Sequence, residues 1–301
     1  MAIKVRDQVK WVTSGTELEL EADTGEAFLI KDIMATGTSI GYATITIDKT
    51  TVGYFRLSTA SLGNHIHFPL TDDIKGTLLR YLWDKGIFKG YPVAEGQVIR
   101  ISVDNSMSLA FIYDIYEPGD ISPDAENGSE AKEYMLINYG VKASSGYLAD
   151  GDNEYLTSIL PSEFPNFPFG RDVPSKTRID IYGILASDIG RVSASGANKQ
   201  ITQYLKLIKE REVLFDEDKR GLLMKGFLGT SDAYYNGAGV GLIGNYTDTD
   251  KRLPYMFTEP LSFSAGEELS VIVNTKVSAG SANIDVTRAD IAFIEKVIRT
   301  G

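Results

Sequence analysis

The chain has two histidines, His65 and His67. On a strand, residues i and i+2 face the same side, so the two imidazoles have the spacing to grip one metal ion, with Asp72 or Asp73 as a third ligand. A second group, Asp150, Asp152 and Glu154, is rich enough in oxygen to hold calcium, although it lacks the spacing of a twelve-residue calcium loop. The competing account of that group is a helix N-cap followed by a solvated turn. A looser acidic run, Asp114, Glu117, Asp120 and Asp124, offers the same ligand type. Gly237-Ala238-Gly239-Val240-Gly241 has the glycine density of a phosphate cradle. A dinucleotide fingerprint needs a strand before it and a helix after it, whereas Tyr234-Tyr235 precedes this run and Gly244-Asn245 follows, so it is read as a surface loop. There is no Gly-x-Ser-x-Gly elbow, and a Ser-His-Asp system would have to recruit one of the two histidines. The chain contains no cysteine, which removes disulfides, zinc-thiolate sites and thiol nucleophiles together. The metal candidates are therefore His65, His67, Asp150, Asp152 and Glu154, and neither a cofactor nor an enzymatic activity is expected.

The elements that would carry these residues are mostly strands. Thr44 to Ile47, Val98 to Val103, Tyr204 to Leu207 and Leu269 to Val273 alternate apolar and polar residues and are bounded by Gly, Asp, Asn and Ser. The 29 glycines suit many tight turns. Helical spacing is confined to two places. From Asp72 to Lys85, Ile74, Leu78, Leu79, Leu82 and Trp83 form one stripe, with the aspartates at the N-terminal end and Gly86 as the C-cap. A second short helix is expected from Asn153 to Leu160, with Asp152 as its N-cap and Pro161 as its stop.

Three blocks recur in order along the chain. Ile30-Lys31-Asp32-Ile33-Met34-Ala35 matches Ile181-Tyr182-Gly183-Ile184-Leu185-Ala186 at an offset of 151. Gly96 to Val103 matches Gly266 to Val273 at an offset of 170, and Leu109-Ala110-Phe111-Ile112 matches Ile291-Ala292-Phe293-Ile294 at an offset of 182. The offsets grow by insertions that fall in loops, where they cost little. Internal duplication follows. It also makes Ile291 to Ile298 a strand, because its partner Leu109 to Tyr116 is aromatic and β-branched and ends at Pro118-Gly119.

With 301 residues, 43 % of them hydrophobic, the chain is long enough for two folded domains. The expected class is all-β, two tandem jelly-roll-type β-sandwiches from an internal duplication with one or two short helices. The expected domains are 1–125 and 171–301, with 126–170 as a proline-rich connecting segment that holds one strand, Tyr134 to Tyr139. The balance of 30 Lys+Arg against 41 Asp+Glu, a net charge of −11, argues against sequence-specific nucleic-acid binding. Met1 to Val12 is too polar for a secretory signal, and no run of about 18 apolar residues is present to span a membrane as a helix.

Two successive sandwiches in some 300 residues, with a short helix before Gly86 and long loops, resemble the double jelly-roll major capsid proteins of tailless icosahedral viruses. The resemblance spans the chain and is architectural, so it carries over no functional residue. It implies a shell protein made in the host cytoplasm and located in the virion. Its partners would be further copies of itself, in pseudo-hexagonal trimers, together with minor capsid or membrane proteins. The alternative is a carbohydrate- or receptor-binding virion component such as a fibre, turret or tail protein, to which the aromatic loops would belong.

Overall fold

The computed structural model describes residues 3–36, 41–57, 78–117, 133–143, 151–154, 172–187, 200–215, 222–223, 245–246, 254–277 and 288–300. Their strands are predominantly antiparallel, with one short helix. The chain divides into two compact units, Met1–Ile137 with Glu295–Gly301, and Asn138–Ile294.

Six strands precede residue 117: β1 (Ile3–Glu21), β2 (Ala27–Thr36), β3 (Gly41–Ile47), β4 (Thr50–Leu57), β5 (Tyr91–Val93) and β6 (Val98–Tyr116). The two long ones, β1 and β6, pair antiparallel from Ile3↔Tyr116 to Glu21↔Val98. The second edge of β6 is shared. β2 takes its C-terminal half, from Ala27↔Tyr116 to Thr36↔Ser108, and β3 takes its N-terminal half, from Ala43↔Val103 to Ile47↔Ile99. β5 then pairs with β2, and β4 with β3. The result is two strand orders, β1-β6-β2-β5 and β1-β6-β3-β4, with β1 and β6 common to both.

Alternation along β6 explains the core. Ile99, Ile101, Val103, Met107, Leu109 and Phe111 are buried on one face. The phase then flips, and Asp114 and Tyr116 are buried instead. β2 changes phase as well, from Phe28 and Ile30 to Ile33 and Ala35. The change along β2 lies at a register shift between Ile30 and Asp32, where the extra residue Lys31 keeps Ile33 and Ala35, opposite Phe111 and Leu109, on the same face as Phe28 and Ile30.

The helix α1 (Leu78–Asp84) buries Leu78, Leu79 and Leu82, the stripe expected from sequence, while 72–77 lie outside the described residues. Its end is a Schellman motif. The Gly86 N–H donates to the Trp83 carbonyl at 2.8 Å and the Ile87 N–H to the Leu82 carbonyl at 2.9 Å. The chain then packs Phe88 edge-on to Tyr91 at 4.9 Å, and the buried Tyr91 hydroxyl donates to the Val52 carbonyl at 3.2 Å.

The later strands are β7 (Glu133–Ala143), β8 (Gly151–Glu154), β9 (Thr177–Ser187), β10 (Gln200–Lys209), β11 (Glu212–Val213), β12 (Leu222–Leu223), β13 (Asn245–Tyr246), β14 (Tyr255–Phe263), β15 (Leu269–Val277) and β16 (Arg288–Arg299). They give the orders β14-β9-β16-β7 and β11-β10-β15-β8, with β12 beside β10 and β13 beside β9. The helix expected from Asn153 to Leu160 is corrected here. Asp152, Asn153 and Glu154 form β8 against β15, with Ile272 opposite Glu154 and Thr275 opposite Gly151, and 155–160 lie outside the described residues. A ladder to a distant strand outweighs the local capping tendency of Asp152. β7 and β8 both come from the stretch read as a connector.

The registers of the early and late strands correspond. β3 and β6 pair Ala43↔Val103 and Ile47↔Ile99, while β10 and β15 pair Leu205↔Val273 and Lys209↔Leu269, offsets of 162 and 170. β2 and β5 pair Phe28↔Val93 and Ile30↔Tyr91, while β9 and β14 pair Ile179↔Phe263 and Ile181↔Leu261, offsets of 151 and 170. The 151 and 170 are the offsets of the first two sequence blocks.

The turns correspond too. The Gly96 N–H donates to the Ala22 carbonyl at 2.8 Å and the Ala22 N–H to the Gln97 carbonyl at 3.0 Å. Likewise the Gly266 N–H donates to the Val173 carbonyl and the Val173 N–H to the Glu267 carbonyl, both at 2.9 Å. Gln97 Oε1 accepts from the Ala94 N–H at 2.9 Å, and Glu267 Oε2 from the Ser264 N–H at 2.7 Å. Gly96 and Gly266 have φ of 78° and 86°, a region costly for other residues.

Candidate functional site

His65, His67, Asp72, Asp73 and Asp150 lie outside the described residues, as do Gly237 to Gly241. Asp152 lies on β8, where Lys206 Nζ reaches its Oδ2 at 2.6 Å and Asn274 Nδ2 donates to its Oδ1 at 2.7 Å. Burial pulls this carboxyl up, but those hydrogen bonds and the Lys206 charge outweigh burial and hold it below its ordinary 3.8. Both of its oxygens are thus engaged across the sheet. Glu154 pairs through its backbone with Ile272. Among the described residues, no three His, Asp or Glu side chains converge on a metal position.

The acidic run beginning at Asp114 resolves differently. Asp114 stands between two irregularities: β1 carries one extra residue between Val5 and Gln8, and β2 carries Lys31 between Ile30 and Asp32. Asp7, at φ 53°, donates its N–H to Asp114 Oδ1 at 2.8 Å. Lys31 Nζ reaches the same oxygen at 2.9 Å and also bonds Asp7. The hydrogen bond and charge of Lys31 hold the Asp7 carboxyl below its ordinary value. For Lys31, burial opposes the charge, but the hydrogen bonds to Asp7 and Asp114 outweigh it and raise its pKa above 10.5. One buried carboxylate thereby ties down the bulges on both neighbouring strands.

The surface beside this cluster is the functional candidate. The large hydrophobic residues left exposed among the described ones are Val5, Val9, Trp11 and Phe215, and three of these four lie in the first half of β1. Trp11 is 64 % exposed and Val9 54 %. Their cross-strand partners on β6 are Ala110 and Ile112, and on β2 beyond them lie Met34 and Asp32. Directly opposed residues share a face, so Trp11, Ala110 and Met34 form one outward row and Val9, Ile112 and Asp32 the next. Such an apolar sheet face is suited to burial against a macromolecule rather than to chemistry. The sequence reading did not single it out, because Val5, Val9 and Trp11 are interspersed with Lys4, Arg6, Asp7 and Lys10. The signal was available: apolar residues alternate from Val9, and Glu17-Leu18-Glu19-Leu20-Glu21 alternates again beyond Gly15.

A smaller aromatic group lies on the later strands. Phe215, 46 % exposed, stacks on Phe257 with centroids 5.2 Å apart and planes 5° from parallel, and Tyr255 meets Phe257 edge-on at 5.5 Å.

No protein-family model matches the chain, and no curated protein matches it.

Proposed function

We propose that the protein is a viral major capsid protein built from two tandem jelly-roll β-sandwiches that arose by duplication, three copies forming a pseudo-hexagonal capsomer of an icosahedral shell. A jelly roll is a long hairpin rolled so that its outer strands each contribute to two four-stranded sheets. The orders β1-β6-β2-β5 and β1-β6-β3-β4 follow that scheme, with α1 between the fourth and fifth strands. The orders β7-β16-β9-β14 and β8-β15-β10-β11 repeat it, with β7 and β8 in the place of β1, and β15 and β16 in the place of β6. The observation that carries the reading is the recurrence of register and turn hydrogen bonds at the offsets of the repeated sequence blocks. Two similar wedges per chain and three chains give six wedges, the shape that tiles a closed shell. The apolar outward face of β1 supplies a surface for association, and the expected location is the virion.

Electron microscopy of negatively stained full-length protein, together with its solution mass, tests this. The expected result is particles of three 33.0 kDa chains with six-lobed outlines that associate edge to edge. A monodisperse monomer at high concentration would overturn it. The second reading, a glycan- or receptor-binding virion component, is favoured by the exposed Phe215 and Phe257 stack, which offers an aromatic face to a sugar ring. On that reading a glycan array identifies a ligand that raises the melting temperature, and Phe215→Ala abolishes the shift.

A further inference from the structure

Among the described residues, β1 pairs with β6 alone, and one edge of this 19-residue strand has no ladder partner among them. Its first half carries Lys4, Arg6 and Lys10 together with the exposed Val5, Val9 and Trp11, and its second half carries Glu17, Glu19 and Glu21. Neutralisation within the chain is partial. Lys4 approaches Glu26 at 3.7 Å, Glu17 and Glu19 share Arg100, and Asp7 is held by Lys31. Charges on an edge strand ordinarily repel a second edge. Here the sign reverses along the strand. A parallel copy would set like charge against like, whereas an antiparallel copy sets the basic half against the acidic half at both ends of the contact.

We propose that two copies of the chain associate through the β1 edge that is unpaired among the described residues, antiparallel and about a two-fold axis between Val12 and Thr13, so that Lys4 and Arg6 of each lie opposite Glu21 and Glu19 of the other and Lys10 lies diagonal to Glu17. Each Trp11 then lies across the seam from Ser14 of the other copy, which covers part of its ring, while the outward rows on β6 and β2 stay open. Such a contact is isologous and closes on itself. The register shifts at Val5/Gln8, Val12/Gly15 and Gly15/Glu17 break the ladder into short runs, which makes the pairing reversible and keeps it from extending into a fibril. The inference does not rest on the shell reading; in a shell it would join neighbouring capsomers across a two-fold.

The test uses the full chain in two charge variants, Lys4→Glu/Arg6→Glu/Lys10→Glu and Glu17→Lys/Glu19→Lys/Glu21→Lys, in sedimentation experiments at about 0.05 M and 0.5 M salt. Each variant alone is expected to lose about tenfold or more in self-association, since both halves then carry one sign. An equimolar mixture of the two is expected to recover association to within about threefold of the parent, as is the chain carrying all six changes. Recovery in the mixture also shows that both variants fold. In a Trp83→Phe background Trp11 is the remaining tryptophan, and its emission is expected to shift to shorter wavelength with concentration. Unchanged association of either variant, a mixture no tighter than its components, or Trp11 emission that stays solvent-like at every concentration overturns the proposal. Trimers that form with Trp11 still solvated overturn this inference and leave the shell reading standing. Dimers that obey the charge rule without trimers do the reverse.

Discussion

Two buried carboxyls illustrate how differently the same group behaves. Asp114 is satisfied by the Asp7 N–H and the Lys31 ammonium. Replacing it with alanine leaves the Asp7 N–H without this acceptor, takes one of two carboxylates from Lys31 and loosens two bulges at once. Asp114→Ala is expected to cost about 1–3 kcal/mol, measured by urea unfolding, with Asp114→Asn recovering part of the loss. Glu295, by contrast, is fully buried on β16 between the buried Ile294 and the half-buried Lys296, and neither of its carboxyl oxygens has a hydrogen-bond partner among the described residues. Desolvation therefore raises its pKa well above the ordinary 4.5. The sign follows from linkage: the folded state keeps a proton that the unfolded chain releases, so this contribution is full below pH 4.5 and is lost as pH rises through the folded value. Glu295→Met is expected to stabilise the protein by about 1–3 kcal/mol at neutral pH and by less in acid, so that the two melting-temperature profiles converge below pH 4.5. A gain that does not vary with pH would mean that the carboxyl is solvated.

At the scale of elements, the matching turns make a quantitative demand. A Cβ at Gly96 or at Gly266 would meet nothing within 4 Å, so the cost of alanine there is that of the backbone conformation alone. Gly96→Ala and Gly266→Ala are each expected to destabilise by about 1 kcal/mol, and by similar amounts, in denaturant unfolding. Gly183 is the contrast, since a Cβ there would lie 2.7 Å from the Tyr255 carbonyl and from Met256 Sδ, and the two strands would have to part. Several elements were legible beforehand. Alternation located parts of β3, β6, β10 and β15, the leucine stripe located α1, and Gly86 marked its end. The tip Glu210-Arg211 is a two-residue hairpin with both φ positive, in keeping with a solvated turn. β8 was misread because Asp152-Asn153-Glu154 favours a helix start locally, and only a partner more than a hundred residues away makes it a strand.

For the molecule as a whole, the expectation that carries most weight is assembly. A chain with a net charge of −11 repels its own copies over the range of the Debye length, so association must come from matched local surfaces. The trimer expected in the micrographs and the proposed two-fold pairing of β1 would be separate contacts of this kind, and the charge variants distinguish them.

The amino-acid sequence by itself determined the kind of element almost everywhere that periodicity was regular, along with the turns that need glycine and the internal correspondence of its blocks. These are local properties, set by side-chain spacing and backbone preference within a few residues. Tertiary structure alone decided that Ile3–Glu21 is one long bulged strand, that Asp7 meets Asp114 across 107 residues, that Glu295 is buried with no hydrogen-bond partner among the described residues, and that Trp11 faces outward. Each of these depends on which strands lie side by side and in what register, and that is settled by the burial of a shared core rather than by any one segment.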